Sequence, residues 1–355
     1  MDKVRVGLIS SSWWQDFMFV PSLKSHPKAE IVAVSSRSPE PLAAFAAKHG
    51  IANTFADYRE MLTSGLIDAV VVGAPDDLHK EMALAALDAR LHVLCEKPLA
   101  LNAADAAEMT ERAKARGVKH MVYYTWRWQP PFQYLKQLIA DGWFGRILRG
   151  QFSFIGAWGL GREYQWRHDG KRANGVLGDL GSHMVDLSRW LLGDIGRLTA
   201  HLPILVDRTG FGGEVPGSDT AHLICEFASG AQGVIDATTI ATVDGVRQLV
   251  RIDGEDGSIE ITYIPQGPNI GVTVRGMRKG DAAIVPMEIP AKYFAGFDIA
   301  DTLGPYRTQP VGPRLFIDAI VGDFMSEPGF EVGLANQRVI DAAMLSHRER
   351  RWIDL

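Results

Sequence analysis

The fold is decided by residues 68–99, which read DAVVVGAPDDLHKEMALAALDARLHVLCEKPL. The stretch begins with the apolar run DAVVVGA, continues with a helical pattern, and ends with a second apolar run, LHVLC. Short apolar runs separated by a helix are typical of parallel strands that are covered on both faces. We therefore predict a strand–helix–strand unit here, with a turn at residues 96–98 directly after its second strand.

The same alternation extends through the first 124 residues. Further strands are predicted at residues 4–9, 30–36, 54–55 and 119–124. Because crossovers between parallel strands are right-handed, these units form a doubly wound Rossmann sheet, and we assign the domain to residues 1–124. Ligands bind such sheets at the carboxyl ends of the strands, at the switch point between the first and fourth strands.

The pattern changes after residue 124. Pro130 begins a helix, and the chain from 146 to 287 is mostly strand-like, with one helical segment near 176–192. A run of strands with flanking helices indicates an α+β domain with a large, mostly antiparallel sheet, which we assign to residues 125–355.

Composition excludes several classes of protein. The chain has 355 residues, which suits two domains, and it is 46% hydrophobic and 22% charged. A net charge of −5 gives no basic field for nucleic acid, and the sequence lacks an apolar run of the roughly 18 residues that a membrane span needs. Two cysteines are too few for a disulfide framework, so we expect a reducing, cytoplasmic compartment.

The loop after the first strand is a degenerate dinucleotide motif. Ser10 and Ser12 stand where a Rossmann fingerprint has glycines, and Trp13 follows them. Serine is small, and its hydroxyl can bond a phosphate at a helix N-terminus. A plain strand–helix turn remains the alternative at this point.

The end of the second strand carries the clue to the cofactor. Ser36 and Arg37 stand where an acidic residue would bond the ribose of NAD. A guanidinium pairs well with a phosphate, so the sequence favours NADP, with NAD possible. The alternative is an ordinary surface arginine before a helix.

Two blocks resemble the Gfo/Idh/MocA family of sugar and polyol oxidoreductases. Residues 68–99 match its pattern TPxxxH…ALxxGxHVxxEKP, and residues 174–193, NGVLGDLGSHMVDLSRWLLG, match its pattern GGxxxDxGxHxxDxxxxxxG. The resemblance covers nearly the whole chain. The glycine loop and Asn174, where a glycine is usual, depart from the pattern.

The resemblance implies an NAD(P)-dependent dehydrogenase that oxidises a secondary hydroxyl of a sugar, sugar derivative or cyclic polyol. It also implies a homodimer or homotetramer formed through the C-terminal sheet. With the cleft prediction, it gives the cofactor-binding set Ser10, Ser12, Trp13, Ser36, Arg37, Ala74, Pro75, His79, Glu96 and Lys97.

Lys97, Asp179 and His183 are the predicted catalytic residues. Asp179, His183 and Asp186 are spaced to share one helical face, and Lys97 follows a strand into the predicted cleft. Histidine titrates near neutrality and suits reversible proton transfer, whereas a buried lysine near a nicotinamide cation is expected to have a lowered pKa. The residues alone also fit a surface carboxylate–imidazole pair or a zinc site; in the family this helix is catalytic and metal-free.

Aromatic and arginine side chains are interleaved between residues 123 and 168. Loop 157–170, AWGLGREYQWRHDG, is too rich in glycine and charge for a core strand. Flat rings and arginines suit a sugar site, although a packed core or oligomer interface is the alternative. The predicted substrate-binding set is Trp126, Arg127, Arg162, Tyr164, Arg167, His168, Asp179 and His183.

Two other functions compete with the dehydrogenase. The degenerate loop leaves room for a non-catalytic, dinucleotide-sensing regulatory protein, which the intact Lys97, Asp179 and His183 argue against. A lyase or glycosidase that recycles its bound cofactor through a transient ketone is the second, and it would show no net accumulation of reduced cofactor.

Overall fold

The computed structural model describes residues 3–208, 217–243 and 245–355. The chain forms two compact units. Residues up to Tyr124 form the first unit together with Leu303–Gln337, while Thr125–Thr302 and Arg338–Leu355 form the second. In the described part of the chain, no helix combines the length and apolar character that crossing a membrane requires.

The first unit contains a six-stranded parallel sheet in the order β3-β2-β1-β4-β5-β6. Its strands are β1 Val4–Ile9, β2 Ala29–Ser35, β3 Asn53–Phe55, β4 Ala69–Val72, β5 His92–Glu96 and β6 His120–Tyr123. The order reverses between β1 and β4, which confirms the predicted doubly wound sheet and its switch point. Central strands such as β4 are buried along their whole length, because helices cover both faces.

Helix α5, Ala103–Arg116, has capping residues at both ends. The Asn102 side chain accepts a bond of 2.9 Å from the Asp105 amide at the start of α5, and Gly117 ends this helix at φ 63°. The α-helices are α1 Val20–Lys24, α2 Pro39–His49, α3 Tyr58–Thr63, α4 His79–Asp88, α5 Ala103–Arg116, α6 Pro130–Ala140, α7 Ser182–Leu192, α8 Gly304–Thr308, α9 Pro313–Gly322 and α10 Phe330–Glu349. Two π-helical segments, Gln15–Phe19 and Leu177–Gly181, lead directly into α1 and α7.

The second unit contains a nine-stranded sheet in the order β14-β13-β12-β11-β7-β10-β9-β8-β15. Its strands are β7 Ile147–Ile155, β8 Ile195–His201, β9 Thr220–Phe227, β10 Gln232–Thr238, β11 Val246–Gly254, β12 Gly257–Gln266, β13 Gly271–Arg278, β14 Val285–Pro286 and β15 Ile353–Asp354. The β7–β10 pair is parallel and the other pairs are antiparallel, as predicted for a mostly antiparallel sheet. Buried residues alternate along its strands, and α7 packs against the buried face.

The segment 303–337 differs from the predicted domain limits. The sequence-based assignment places all of residues 125–355 in the second domain, whereas residues 303–337 pack with the unit that contains the parallel sheet. The hydroxyl of buried Ser22 donates to the Tyr306 carbonyl at 2.8 Å, and the Tyr306 ring lies 6.1 Å from that of Tyr123. Helical periodicity reveals an apolar face but not the partner that covers it, so the sequence could not assign this segment.

Candidate active site

The loop after β1 keeps the backbone course of a glycine loop. Ser10 adopts φ 97°, a left-handed conformation that glycine normally supplies. Its hydroxyl oxygen accepts a bond of 3.1 Å from the Ser12 amide, and the Ser12 hydroxyl oxygen accepts one of 3.4 Å from the Gln15 amide. Both serines still carry an O–H that can donate. The loop therefore fits a dinucleotide phosphate despite its missing glycines.

Arg37, just after the end of β2, is an exposed cation close in sequence to the residue that bonds this loop. The Ser11 hydroxyl donates to the Ser36 hydroxyl oxygen at 3.1 Å, which ties the loop to the end of β2. Arg37 is exposed and makes no hydrogen bond or ion pair with any described residue. Trp13 is 63% exposed, and its ring meets that of Trp14 edge-on at 5.3 Å. Arg37 is thus available to an anionic group.

Glu96 braces the loop at the end of β5. Its side chain is buried; Oε1 accepts a bond of 2.5 Å from the Trp14 indole, and Oε2 accepts one of 3.1 Å from the Lys97 amide. Burial raises the pKa of Glu96, and the charge of Lys97 and these two bonds oppose that rise. Lys97 itself is half-buried. Both carboxylate oxygens are used within the protein, so Glu96 positions the turn.

The role of His79 differs from the predicted one. The sequence places it in the cofactor-binding set, but its ring is fully buried. Nδ1 lies 2.8 Å from the Pro98 carbonyl oxygen, and Nε2 lies 2.9 Å from the Ala74 carbonyl oxygen. Burial lowers the pKa of His79, and the two carbonyl contacts oppose that shift. His79 therefore links the loop at Ala74 and half-buried Pro75 to the Lys97-Pro98 turn, and no ligand can reach it without displacing this packing.

In the second unit, Asp179 lies in the π-helical segment before α7. A π-turn within a helix often marks a functional site, because it alters which side chains face one direction. An Asp179 oxygen lies 3.5 Å from Nε of Arg167. The Arg167 guanidinium also covers the Trp166 ring at 4.3 Å. A carboxylate, a guanidinium and an indole thus meet on one side of the helix.

His183, in the first turn of α7, lies in an aromatic wall. Its ring is buried, at 5.9 Å from the Trp126 ring and 5.8 Å from the Phe154 ring. The Trp126 indole nitrogen is buried without a hydrogen-bond partner among the described residues. The predicted residues Trp126 and His183 are therefore brought together by the fold.

The role of Arg127 differs from the prediction. The sequence assigns Arg127 to the substrate. Instead Arg127 and Asp186 form a buried bidentate ion pair, with Nε 3.0 Å from one carboxylate oxygen. Each charge needs the other in this apolar setting, so the pair is structural. The described residues contain no group of three or more histidine, cysteine or carboxylate side chains arranged around a possible metal ion.

A small recess, too narrow to admit a water molecule, lies beside Asp179. It is lined by Trp158, Arg167, His168, Gly175, Val176, Asp179, Ser218 and Thr239. His168 is buried, and its Nδ1 has no hydrogen-bond partner among the described residues. Burial and then the charge of Arg208 lower the pKa of His168, which favours its neutral form.

The two remaining predicted substrate residues lie at the surface. Arg162 is exposed and makes no hydrogen bond or ion pair with another described residue. Tyr164 is half-exposed, and its hydroxyl donates to Asp169 at 3.0 Å. Their side chains are accessible to a ligand.

Sequence reasoning missed residues that hold the loops in place. Trp14 bonds Glu96, and its neighbours in sequence give no sign of that contact. Arg208 and Asp219 form a fully buried ion pair, and Arg208 also donates to the Gly159 carbonyl at 2.7 Å, which fixes loop 157–170. Arg208 and Gly159 are 49 residues apart, so no local pattern could have connected them.

The first unit has a doubly wound sheet with a loop that fits a dinucleotide phosphate. The second unit has a large mixed sheet and a helical segment with a histidine and a carboxylate. Together these features are those of a dinucleotide-binding oxidoreductase. The chain belongs to the Gfo/Idh/MocA oxidoreductase family. Residues 4–124 match the model of its NAD-binding Rossmann domain, and residues 132–260 match that of its C-terminal domain.

Named relatives agree with this assignment. Levoglucosan dehydrogenase of Pseudarthrobacter phenanthrenivorans is 30% identical over 74% of this chain and 74% of its own. The scyllo-inositol 2-dehydrogenase (NADP(+)) IolU of Bacillus subtilis is 30% identical over 82% and 85%.

Solved structures show the same fold. A levoglucosan dehydrogenase in complex with NADH and levoglucosan has a TM-score of 0.86 at 24% identity, covering 99% of both chains. An oxidoreductase domain protein from Kribbella flavida has a TM-score of 0.84 at 27% identity, covering 100% of this chain and 99% of its own.

Proposed function

We propose that this protein is an NADP-preferring dehydrogenase that oxidises a secondary hydroxyl of a sugar, sugar derivative or cyclic polyol. The observation that carries the proposal is the arrangement around α7: His183 lies in an aromatic wall, and Asp179 extends from a π-turn next to Arg167. The relatives act on levoglucosan and scyllo-inositol, as their names state, and others act on D-apiose and myo-inositol.

The catalytic roles follow from the chemistry of alcohol oxidation. The reaction needs a group that accepts the hydroxyl proton. We assign that role to a ring nitrogen of His183, with Asp179 as its partner or as the anchor of a neighbouring substrate hydroxyl. We assign to the Lys97 ammonium the binding of the reacting oxygen, and its Nζ can pass the proton on. Glu96 and His79 hold the Lys97 turn without contacting substrate.

The cofactor would be held mainly by backbone and small side chains of the first unit. When bound, the nicotinamide dinucleotide accepts or supplies the hydride. Ser10, Ser12 and the amides of the first helical turn would meet its phosphates, because the first N–H groups of a helix have no partner within the helix and point toward its N-terminal end. Ser36 and the unpaired Arg37 would meet a 2′-phosphate, which is the basis of the NADP preference. Trp13, Ala74, Pro75 and Lys97 complete the set.

The substrate would be held by the second unit. Rings such as Trp126 can stack on the C–H faces of a sugar, and arginines can bond its hydroxyls. Arg162, Tyr164, Arg167 and His168 supply such groups on one loop. Loops on a rigid scaffold commonly carry binding residues, and the buried Arg208–Asp219 pair provides that rigidity here.

The test is an absorbance screen at the reduced-nicotinamide band. Levoglucosan, scyllo-inositol, myo-inositol and D-apiose are each supplied with NADP and with NAD. Accumulation of reduced cofactor with at least one of them, faster with NADP, is the expected result. Cofactor binding without turnover would favour the regulatory protein, and substrate conversion without reduced cofactor would favour the recycling lyase or glycosidase.

We also propose that the protein is a cytoplasmic homodimer or homotetramer assembled through the large sheet. Leu148 and Ile224 of this sheet are exposed large apolar side chains, at 41% and 51%. Cys95 and Cys225 are buried free thiols, as expected in a reducing compartment. Light scattering of the purified protein measures its oligomeric state directly. A monomer would refute the proposed homodimer or homotetramer.

A further inference from the structure

Trp158 is a large aromatic residue that stays exposed beside the recess of the second unit. It is 37% exposed, although tryptophan is on average a highly buried residue. Its ring meets no other aromatic ring among the described residues, and its indole N–H forms no hydrogen bond with them. Packing within the protein therefore does not explain why this position carries a tryptophan.

Gly156 makes room for the Trp158 ring. A Cβ at Gly156 would lie 2.6 Å from Cη2 of the ring and closer still to Cζ3, so the benzene edge of the indole lies directly against the glycine backbone. A larger residue at this position would push the ring aside, because packed atoms cannot approach so closely. The sequence thus pairs an exposed indole with the one residue type that allows its position.

Backbone bonds hold the segment that carries this indole. The Gly156 amide donates to the Thr238 carbonyl at 2.8 Å, and the Gly159 amide donates to the Thr239 carbonyl at 2.8 Å. The Gly159 carbonyl in turn accepts the bond from buried Arg208. A ring on backbone that is bonded on both sides loses little freedom when a ligand packs against it, and such preorganisation favours binding.

The side chains of three residues around the recess keep accessible surface. Trp158, Arg167 and Asp179 all line it, and the side chains of Arg167 and Asp179 are 37% and 16% exposed. Because the recess is too narrow for a water molecule, a ligand can only lie across its rim, against these exposed surfaces. The rim therefore offers a ligand an indole, a guanidinium and a carboxylate.

We propose that Trp158 is a specificity-determining residue that stacks on a C–H face of the substrate ring, while Arg167 and Asp179 bond its hydroxyls. The proposal rests on the proposed dehydrogenase function. The face of an aromatic ring carries partial negative charge and attracts C–H bonds, whereas an axial hydroxyl on the substrate would hold the two rings apart. The ligand class is a six-membered sugar or polyol ring with one face that carries only C–H bonds.

The test measures binding to the protein loaded with reduced cofactor, so that no alcohol is oxidised. In scyllo-inositol all hydroxyls are equatorial and both ring faces carry only axial C–H bonds, whereas levoglucosan has axial hydroxyls and an anhydro bridge there. Calorimetry should show that Trp158→Ala weakens scyllo-inositol binding about tenfold and levoglucosan binding less than about threefold. Trp158→Phe keeps a flat ring and should stay within about threefold of wild type on both ligands.

Two further variants separate stacking from structure. Gly156→Ala keeps the indole but displaces it, so it should weaken scyllo-inositol binding in the same direction, and it supplies the comparison if Trp158→Ala fails to fold. Phe324→Ala removes an exposed ring that follows α9, outside the proposed site, and should leave binding unchanged. With a six-membered substrate from the screen, Trp158→Ala should lower kcat/KM mainly through KM, because stacking acts alike on substrate and transition state.

Unchanged scyllo-inositol binding in a folded Trp158→Ala protein would overturn the inference. So would an equal loss of affinity for both ligands, or a wild-type protein that does not bind scyllo-inositol. If scyllo-inositol binds through Trp158 while wild type oxidises nothing in the absorbance screen, the proposed function fails and the stacking site stands.

Discussion

The polar residues of the two units are used differently. Around the Glu96-Lys97-Pro98 turn, the side chains of Glu96 and His79 are fully engaged with an indole, a backbone amide and two carbonyls. Around α7, by contrast, the indole of Trp126 and Nδ1 of His168 are buried without partners among the described residues. Near this turn the first unit uses motif side chains to hold backbone in place, whereas the second unit buries polar side-chain atoms near α7 without bonding them to described residues.

The largest expected effect tests whether the braced turn positions Lys97 for catalysis. Lys97→Ala should lower kcat and kcat/KM together by about 10²–10⁴-fold, because the lysine acts on the reacting oxygen in the transition state. Cofactor affinity should fall far less than kcat, and the unfolding midpoint should stay close to wild type. Steady-state kinetics and cofactor titration measure this, with Lys114→Ala on the exposed face of α5 as the control. Turnover at the wild-type rate would remove Lys97 from the mechanism.

The corresponding test in the second unit asks whether His183 is the group that accepts the proton. Histidine titrates near neutrality, and oxidation needs its neutral form, so wild-type kcat/KM should rise with pH to an alkaline plateau at about pH 8 to 9. His183→Asn should lower the rate about 10²–10⁴-fold and remove this acid limb from the remaining activity. Asp179→Asn should lower the rate less and shift the midpoint of the limb downward. If the acid limb persists in His183→Asn, another group is the base.

The Arg127–Asp186 pair is the exception in the second unit, since its polar atoms bond each other. Asp186→Ala should lower the free energy of unfolding by about 3–5 kcal/mol, because it leaves a buried guanidinium unpaired. Urea unfolding measures this. The double change Arg127→Met with Asp186→Leu should recover most of the loss. A stable Asp186→Ala protein with weakened substrate binding would instead return Arg127 to the substrate site.

Arg37 differs from the bonded side chains of the first unit, because it is exposed and bonds to none of the described residues. Arg37→Ala should weaken NADP binding by about 1–3 kcal/mol, the range for a lost charge-assisted bond, and barely change NAD binding. Fluorescence titration with both cofactors measures the two affinities. Tighter binding of NAD than of NADP by the wild-type protein would contradict the assignment.

The smallest effect concerns the pH dependence of stability at His168. Its pKa is lowered in the folded protein, so below about pH 6.5 the unfolded chain binds a proton that the folded chain does not. Its contribution to stability is therefore complete above that pH and is lost as the pH falls through the lowered value, by at most about 1.4 kcal/mol per pH unit. Between pH 7.5 and 5.5, the free energy of unfolding measured with urea should fall less steeply in His168→Gln than in wild type. Equal slopes in the two proteins would contradict it.

The first unit could be predicted well because its signals are local. Continuous apolar runs predicted the strands within a few residues of their observed bounds. The predicted set of site residues was too broad for a physical reason. The sequence patterns single out His79 and Arg127 as candidate site residues. Whether such a polar side chain contacts a ligand or a buried group of the protein depends on which other elements pack around it.

By itself the sequence determined the two fold classes, the switch point of the parallel sheet and the helix that carries Asp179 and His183, since each depends on the spacing of neighbouring residues. Only the tertiary structure decided that residues 303–337 pack with the first unit and that His79 and Glu96 brace a turn. These outcomes depend on burial and on partners far apart in the chain. Periodicity can show that a side chain will be buried, but only the folded chain determines what it bonds there.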